Sequence, residues 1–495
     1  MEIALFIIYG LALFFIFGYS LIQIQLVFKY NKYKITQKKR LEEGDIPMDL
    51  PKVTVQLPLF NEQYVAARLI DAMAQLDYPS DKLEIQVLDD STDETIEIVK
   101  KKVEEWKNKG VDIIQICRTN RSGFKAGALA EGLKRAKGEF LAIFDADFLP
   151  NPDFLKKTLS QFTDFNIGMV QTRWEHINEN YSLLTKLQAF GLDAHFTVEQ
   201  GGRNAGGHFM NFNGTAGVWR KKTIEDAGGW QSDTLTEDLD LSYRAQLKGW
   251  KFKFLEEIGA PAELPAEMNA LKTQQFRWNK GAAECTRKNL GKVLRSKNLG
   301  FGTKVNAIFH LMNSAVFICV VLISLLSIPA LMVKNYHLEY KVLFQIASAF
   351  ILSLPILAWF YWTSYAYKKP NKVKSFFKFF ILFPLFLSVS MGLSLHNALA
   401  VIEGYIGKKT PFIRTPKMNL TNKNTGKWKR NVYLKSHLTP LTFIELAFAA
   451  YFIFGISLAF KYDDFGLLPF HILLAFGFIY VAFYSLIHVF KVSRS

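Results

Sequence analysis

Two blocks of this chain are too apolar to stand in water and the block between them is not, and this division decides the architecture. Residues 3–28 form an uninterrupted apolar run, and apolar segments return at about 305–333, 340–366, 375–400, 440–460 and 467–490. A helix of about 20 apolar residues crosses the hydrocarbon core of a bilayer, so each run is long enough to span. Residues 29–304 read instead as a water-soluble enzyme. The expected domains are therefore an N-terminal transmembrane helix over 1–28, a soluble domain over 29–304 and a membrane region over 305–495.

Charge orients these parts. The formal net charge is +16, and the basic residues gather beside the apolar runs: six between Lys29 and Arg40 with no acid, and nine within 401–437 against Glu403 alone. Basic flanks mark the cytoplasmic side of spans. The first run begins with Met1 and Glu2 and ends in lysines, the reverse of a cleaved signal peptide. It reads as a retained helix with residue 29 inside. The flanking pattern also excludes a nucleic-acid-binding role. A transporter would carry ionisable groups within its spans, and the apolar runs hold few. Cys117, Cys285 and Cys319 are widely separated, without metal-ligand spacing or a disulfide framework.

Segment 375–400 is the one place where hydropathy and charge disagree. If it crossed, parity would put the nine basic residues of 401–437 outside. A segment that stays at the cytoplasmic interface removes the conflict, and Pro384 and Gly392 permit a break within it. This leaves five true spans.

Within the soluble block, β-rich runs at 53–57, 84–88, 112–116, 139–144 and 167–172 alternate with helical stretches at 62–76, 93–109 and 125–136. That rhythm predicts an α/β, Rossmann-like domain with a mostly parallel sheet. Such sheets bind ligands beyond the carboxyl ends of their strands, and two of those ends are rich in Asp. Asp89-Asp90-Ser91-Thr92-Asp93 follows one strand, where a carboxylate can accept from a nucleobase edge and a ribose; a helix N-cap is the structural alternative. Asp145-Ala146-Asp147 follows another, and residues two apart in extended backbone project to one side. Two hard oxygen donors suit Mg²⁺ or Mn²⁺ with room left for a diphosphate. Thr236-Glu237-Asp238-Leu239-Asp240 supplies a candidate general base, Asp238, against the alternative of an acidic first helical turn. Gln274-Gln275-Phe276-Arg277-Trp278 offers a planar cation for a diphosphate and an aromatic platform for a sugar ring.

In this order and spacing, the four motifs resemble those of the processive family 2 glycosyltransferases, among them the cellulose, chitin and hyaluronan synthases. LPLFNE (57–62), QVLDDSTDET (86–95), FKAGALAEGL (124–133), FDADFLPNPDFL (144–155), HFTVEQ (195–200), FNGTAGVWR (212–220) and AGGW (227–230) are similar to the plant cellulose-synthase-like A and C proteins, which make mannans, glucomannans and β-1,4-glucans. The resemblance implies a GT-A catalytic domain and inverting, processive transfer of hexose from GDP-mannose or UDP-glucose to a growing β-1,4-linked polysaccharide, which is moved across the membrane. It implies nucleotide contacts from Asp89, Asp90 and Lys125, metal and diphosphate binding by Asp145 and Asp147, and substrate binding by Glu237 beside the base Asp238. Gln274, Arg277 and Trp278 would hold the diphosphate and the acceptor end. Phe412-Ile413-Arg414-Thr415-Pro416-Lys417 resembles the gating loop of bacterial cellulose synthase, with Arg414 at its Val position; Thr415 and Lys417 would close over the diphosphate. Asn213 stands where that enzyme has a Cys beside the acceptor. The family alternative is a non-processive transferase with a lipid-linked acceptor. The resemblance also leaves open a homo-oligomer or accessory secretion proteins, in an inner or plasma membrane if bacterial and the Golgi if eukaryotic.

Overall fold

The computed structural model describes residues 2–37, 49–337, 340–367, 369–420, 432–434 and 439–493. Part of the expected basic segments, at 38–40, 421–431 and 435–437, lies outside the described residues.

The chain enters through α1 (Glu2–Gln37) and then builds one seven-stranded sheet from β1 (Val53–Leu59), β2 (Leu83–Asp89), β3 (Asp112–Cys117), β4 (Phe140–Ile143), β5 (Ile167–His176), β6 (Gly217–Arg220) and β7 (Lys251–Ala262). The order is β3-β2-β1-β4-β6-β5-β7, and β6 alone runs antiparallel to its neighbours. The helices α2 (Ala66–Ala74), α3 (Thr95–Asn108), α4 (Phe124–Arg135), α5 (Phe154–Leu159), α6 (Leu183–Ala194), α7 (Gln200–Gly206), α8 (Lys221–Asp226) and α9 (Glu237–Leu247) complete this domain. A π turn over His195–Glu199 joins α6 to α7.

The five strands expected from the sequence are present. β2 is buried at every residue and β1 at all but Pro58, as strands covered on both faces must be. Polar side chains on them meet across the two strands: Thr54 Oγ1 donates to Glu84 at 2.6 Å, and the Gln56 and Gln86 amides lie 3.0 Å apart. Two apolar clusters sandwich the sheet, one around Val55, Leu69 and Phe154 and the other around Leu129, Trp219 and Leu241. The strands β6 and β7 were not legible as alternating runs. β6 is only four residues long, and β7 keeps pairing with β5 across register shifts.

Past the sheet, α10 (Met268–Arg295) and α11 (Phe301–Leu311) precede α12 (Ala315–Tyr336), α13 (Lys341–Ser348), α14 (Ser353–Ala366), α15 (Lys372–Gly392), α16 (Ser394–Ile406), α17 (Pro440–Lys461) and α18 (Leu468–Ser493). Among the described residues, six helical stretches are long and apolar enough to cross a bilayer: 2–35, 315–336, 342–366, 372–392, 440–461 and 468–489. The apolar run at 305–333 is not one helix. α11 ends at Leu311 and its buried residues Ala307 and Leu311 join Tyr243 of α9 and Cys285 of α10, so the long apolar helix begins only at Ala315. The run at 375–400 is likewise divided, at Leu393. α15 is the apolar helix, whereas α16 lies along α10 and packs so closely that a Cβ on Gly404 would sit 2.6 Å from the Lys280 carbonyl.

Candidate active site

One cavity lies at the carboxyl ends of β1, β2 and β4, where the Asp-rich strand ends were expected to meet. Its lining includes Asp90, Lys125, Asp145, Asp147, Glu237, Asp238, Gln274, Arg277, Trp278, Thr415 and Lys417. Eleven of the twelve residues singled out from sequence therefore converge on it. Asp89 does not. It is buried at the end of β2, where one carboxylate oxygen accepts from Ser91 N at 2.9 Å and the other from Gln115 Nε2 at 2.8 Å. Both oxygens brace the loop, which leaves Asp90 to face the cavity. Asp90 is held in turn by Arg118, whose Nε donates at 2.8 Å.

The Asp145 and Asp147 carboxylates are each met by a lysine. Lys125 Nζ lies 2.5 Å from Asp145 Oδ1 and also donates to the Gly214 carbonyl at 2.8 Å. Burial works against the charge on Lys125, but Asp145, Glu237 and Asp238 outweigh it and raise its pKa. Lys417 Nζ donates to Asp147 Oδ2 at 2.8 Å, while Asp147 Oδ1 is buried without a hydrogen-bond partner among the described residues. That orphaned oxygen, with hard carboxylates two residues apart, fits a divalent cation that completes its shell with phosphate oxygens. Among the described residues no three His, Cys, Asp or Glu side chains form a closed cage.

Asp238 sits in the first turn of α9. Its neighbour Asp240 is fully buried and occupied by Arg244 at 2.8 Å, Asn289 at 2.9 Å and Lys288 at 2.9 Å, so it is structural. Among the described residues Asp238 accepts a hydrogen bond from Leu239 N of its own helix alone, and it opens to the cavity. Burial first, and then the charge of Glu237, push it up to about 7, against the opposing effect of Lys125. Glu237 is raised for the same leading reason, burial. Room for Asp238 depends on Gly214, whose φ is +77 and on which a Cβ would stand 3.0 Å from Asp238 Oδ2.

Residues 407–420 close over this cavity. Arg277 Nη2 donates to Thr415 Oγ1 at 2.9 Å and its guanidinium lies 4.5 Å from the Phe412 ring centroid. Arg414 pairs with Glu62 at 2.8 Å, and Met418 N donates to Glu263 Oε1 at 2.8 Å. Burial, reinforced by the Asp147 charge, raises both Glu62 and Glu263 to about 7. Phe412 stacks on Phe124 with centroids 5.7 Å apart, beside Arg121 and Asp90. Glu62, Arg121, Glu263 and the aromatic contacts were missed in the sequence because they act only through partners far away in the chain. On the remaining side Trp278 stands 6.4 Å from Trp174, which stacks on Phe196 at 4.7 Å.

A seven-stranded, mostly parallel sheet with paired aspartates at the end of one central strand defines a GT-A fold. The solved structure of the mannosyltransferase PcManGT from Pyrobaculum calidifontis, in complex with GDP-Man and Mn²⁺, shares that fold: TM-score 0.53 at 19% identity, covering 82% of this chain and all of that one. Residues 51–281 match the model of the glycosyltransferase-like family 2. Among curated relatives, glucomannan 4-beta-mannosyltransferase 1 of Oryza sativa subsp. japonica is 41% identical over 305 residues, 59% of this chain and 58% of that protein. Glucomannan 4-beta-mannosyltransferase 2 of Arabidopsis thaliana is 46% identical over 266 residues, 53% of this chain and 50% of that protein. The chain thus spans about half the length of the curated relatives it matches.

Proposed function

We propose that this chain is an inverting β-1,4-hexosyltransferase that extends a mannan- or glucomannan-type polysaccharide processively from GDP-mannose and passes it through its own membrane region. The observation that carries this reading is the convergence of Asp90, the Asp145–Asp147 pair, Asp238 and the Gln274–Trp278 segment on one lidded cavity. GDP-mannose is preferred over UDP-glucose because the curated relatives are named as mannosyltransferases.

Asp238 takes the proton of the acceptor hydroxyl as that oxygen bonds to the anomeric carbon from the face opposite the nucleoside diphosphate, which departs with the bonding electrons. One base and no carboxylate nucleophile suffices for inversion. A base near the operating pH is the efficient choice, and its elevation to about 7 brings Asp238 there. Asp145 and Asp147 would hold Mg²⁺ or Mn²⁺, which supplies charge neutralisation to the diphosphate leaving group. Arg277, Lys125 and Lys417 add fixed positive charge beside the same group. Thr415 and Lys417 close the cavity to water. Trp278, paired with Trp174, offers the acceptor sugar an apolar face.

The contacts support a cytoplasmic catalytic domain with five spans. Lys34, at the end of α1, bonds Glu257 of β7 at 2.6 Å and Tyr367, just past α14, at 2.8 Å, which puts both ends at the level of the catalytic domain. Asp464 pairs with Lys334 at 2.7 Å on the far side. α15 leaves from near Tyr367, and α16 is back against α10, where Lys280 Nζ meets Thr410 at 2.8 Å. At 1.5 Å per residue α15 is about 31 Å long and α16 only about 20 Å, so α16 is too short to recross a bilayer. α15 meets α18 at Gly477, well within that helix, and buries its face against α6 of the catalytic domain. An inclined helix held at the cytoplasmic side fits these contacts.

Titration of the detergent-purified protein with GDP and with UDP in Mn²⁺ tests the site. Preferential GDP binding is expected. UDP-selective binding would overturn the donor, and binding of neither would overturn the glycosyltransferase reading.

A further inference from the structure

Asn213 lines the cavity, and its neighbours fix which way its amide faces. Its Oδ1 lies 2.9 Å from His195 Nε2 and 2.8 Å from Asn211 Nδ2. Asn211 Nδ2 also donates to the Phe212 carbonyl at 3.3 Å, so it is a donor, and Asn213 must present its oxygen to it. His195 Nδ1 faces Glu199 Oε2 at 2.9 Å, and a carboxylate only accepts. Both imidazole nitrogens therefore carry hydrogen, and the ring is an imidazolium. The second Glu199 oxygen takes Arg203 Nη2 at 3.0 Å, and Glu199 and Arg203 are buried. This chain of four is built across the π turn, an irregularity often found at functional sites. What remains is Asn213 Nδ2, buried and without a partner among the described residues.

We propose that Asn213 is a specificity-determining residue that donates from Nδ2 to a hydroxyl of the acceptor glycan, and that His195, fixed by Glu199 and Arg203, is the positioning residue that holds its amide in that orientation. This rests on the glycosyltransferase reading above. The acceptor, not the nucleotide, is the neighbour for two reasons. Asn213 adjoins Gly214, against which the Asp238 carboxylate lies, and that base must face the acceptor hydroxyl. His195 stands edge-on to Phe196 at 4.9 Å, and Phe196 supports Trp174 beside Trp278. Asp90, Arg121 and Phe412, at the nucleotide end, make no hydrogen bond to Asn213.

Burial opposes the charge on His195, but the adjacent Glu199 outweighs it and raises the pKa of the ring. The other groups around this chain are Arg203 on the same stretch, His310 on α11, which burial keeps neutral, and Tyr19 and Tyr361 of α1 and α14, which face Glu199. The imidazolium is present at low pH and lost as pH rises through its raised pKa, so acceptor binding weakens on the alkaline side.

The test is steady-state kinetics of the full chain in detergent with GDP-mannose and added mannohexaose. Asn213→Asp keeps both accepted hydrogen bonds and removes the donor. It is expected to raise the mannohexaose KM about 2- to 10-fold, the range for one neutral hydrogen bond, and to move the GDP-mannose KM less than that; Asn213→Ala serves if the Asp variant does not fold. His195→Gln is expected to raise the same KM and to abolish its alkaline rise, and adding Asn213→Ala to it should add little further. An unchanged mannohexaose KM, or an equal rise in both KM values, overturns the proposal. A wild-type protein that turns over no sugar nucleotide instead sinks the glycosyltransferase reading beneath it.

Discussion

Replacing Asp238 by Asn separates chemistry from folding at a single atom. The carboxamide keeps the shape, and its oxygen still accepts from Leu239 N, which bonds the native carboxylate at 2.8 Å. What disappears is the capacity to take a proton, a contribution of about 10²- to 10⁴-fold. The native carboxylate is held up to about 7 by burial and by Glu237, so its ionisation strains the folded state. The amide removes that strain, and thermal stability is expected to be unchanged or higher. The wild-type rate should fall about tenfold per pH unit below about 7, because the protonated acid cannot act as a base, and should level off above it. In Asp238→Asn this acid limb should vanish along with at least about 99% of the rate, while GDP binding persists. The assays are release of GDP from GDP-mannose across pH 5.5–8.5 and calorimetric GDP titration. A variant within about fivefold of wild type, or one that has lost nucleotide binding to the same degree as rate, would refute Asp238 as the base.

Other consequences can be checked separately. Chelation, or Asp147→Asn, is expected to abolish transfer and to weaken GDP binding, and Mn²⁺ or Mg²⁺ should restore only the chelated protein; full activity in excess EDTA removes the metal. Trp278→Ala should shorten the product by weakening a stacking contact of about 0.5–1.5 kcal/mol, with the GDP-mannose KM little changed; a donor KM effect without shorter product would place Trp278 on the donor side. In a cysteine-free background, a cysteine at Phe465 should react with an impermeant reagent in right-side-out vesicles and one at Lys409 should not; the reverse would mean that α15 crosses.

The candidate site was readable because most of its residues sit at strand ends and helix starts, where a short local pattern marks them. Asp145 and Asp147 follow a short buried strand, and Asp238 opens a helix, so neighbouring residues announce them. Sequence alone could not divide Asp89 from Asp90, since only the folded loop commits Asp89 to Ser91 and Gln115. Nor could it find Glu62 opposite Arg414, or Glu263 beneath Met418, because each pair joins positions far apart in the chain. The membrane region was legible in composition and not in geometry. The helices break at Met312–Ser314 and at Leu393 inside runs that hydropathy averages into one, because apolar residues are needed on both sides of each break.

The central claim is most directly tested by incubating the purified chain, in detergent or proteoliposomes, with radiolabelled GDP-mannose and Mn²⁺ and sizing the product. The account requires an alkali-resistant polymer that a β-1,4-mannanase degrades to short oligosaccharides. A single mannose transferred to lipid, or polymer formed from UDP-glucose alone, would contradict it.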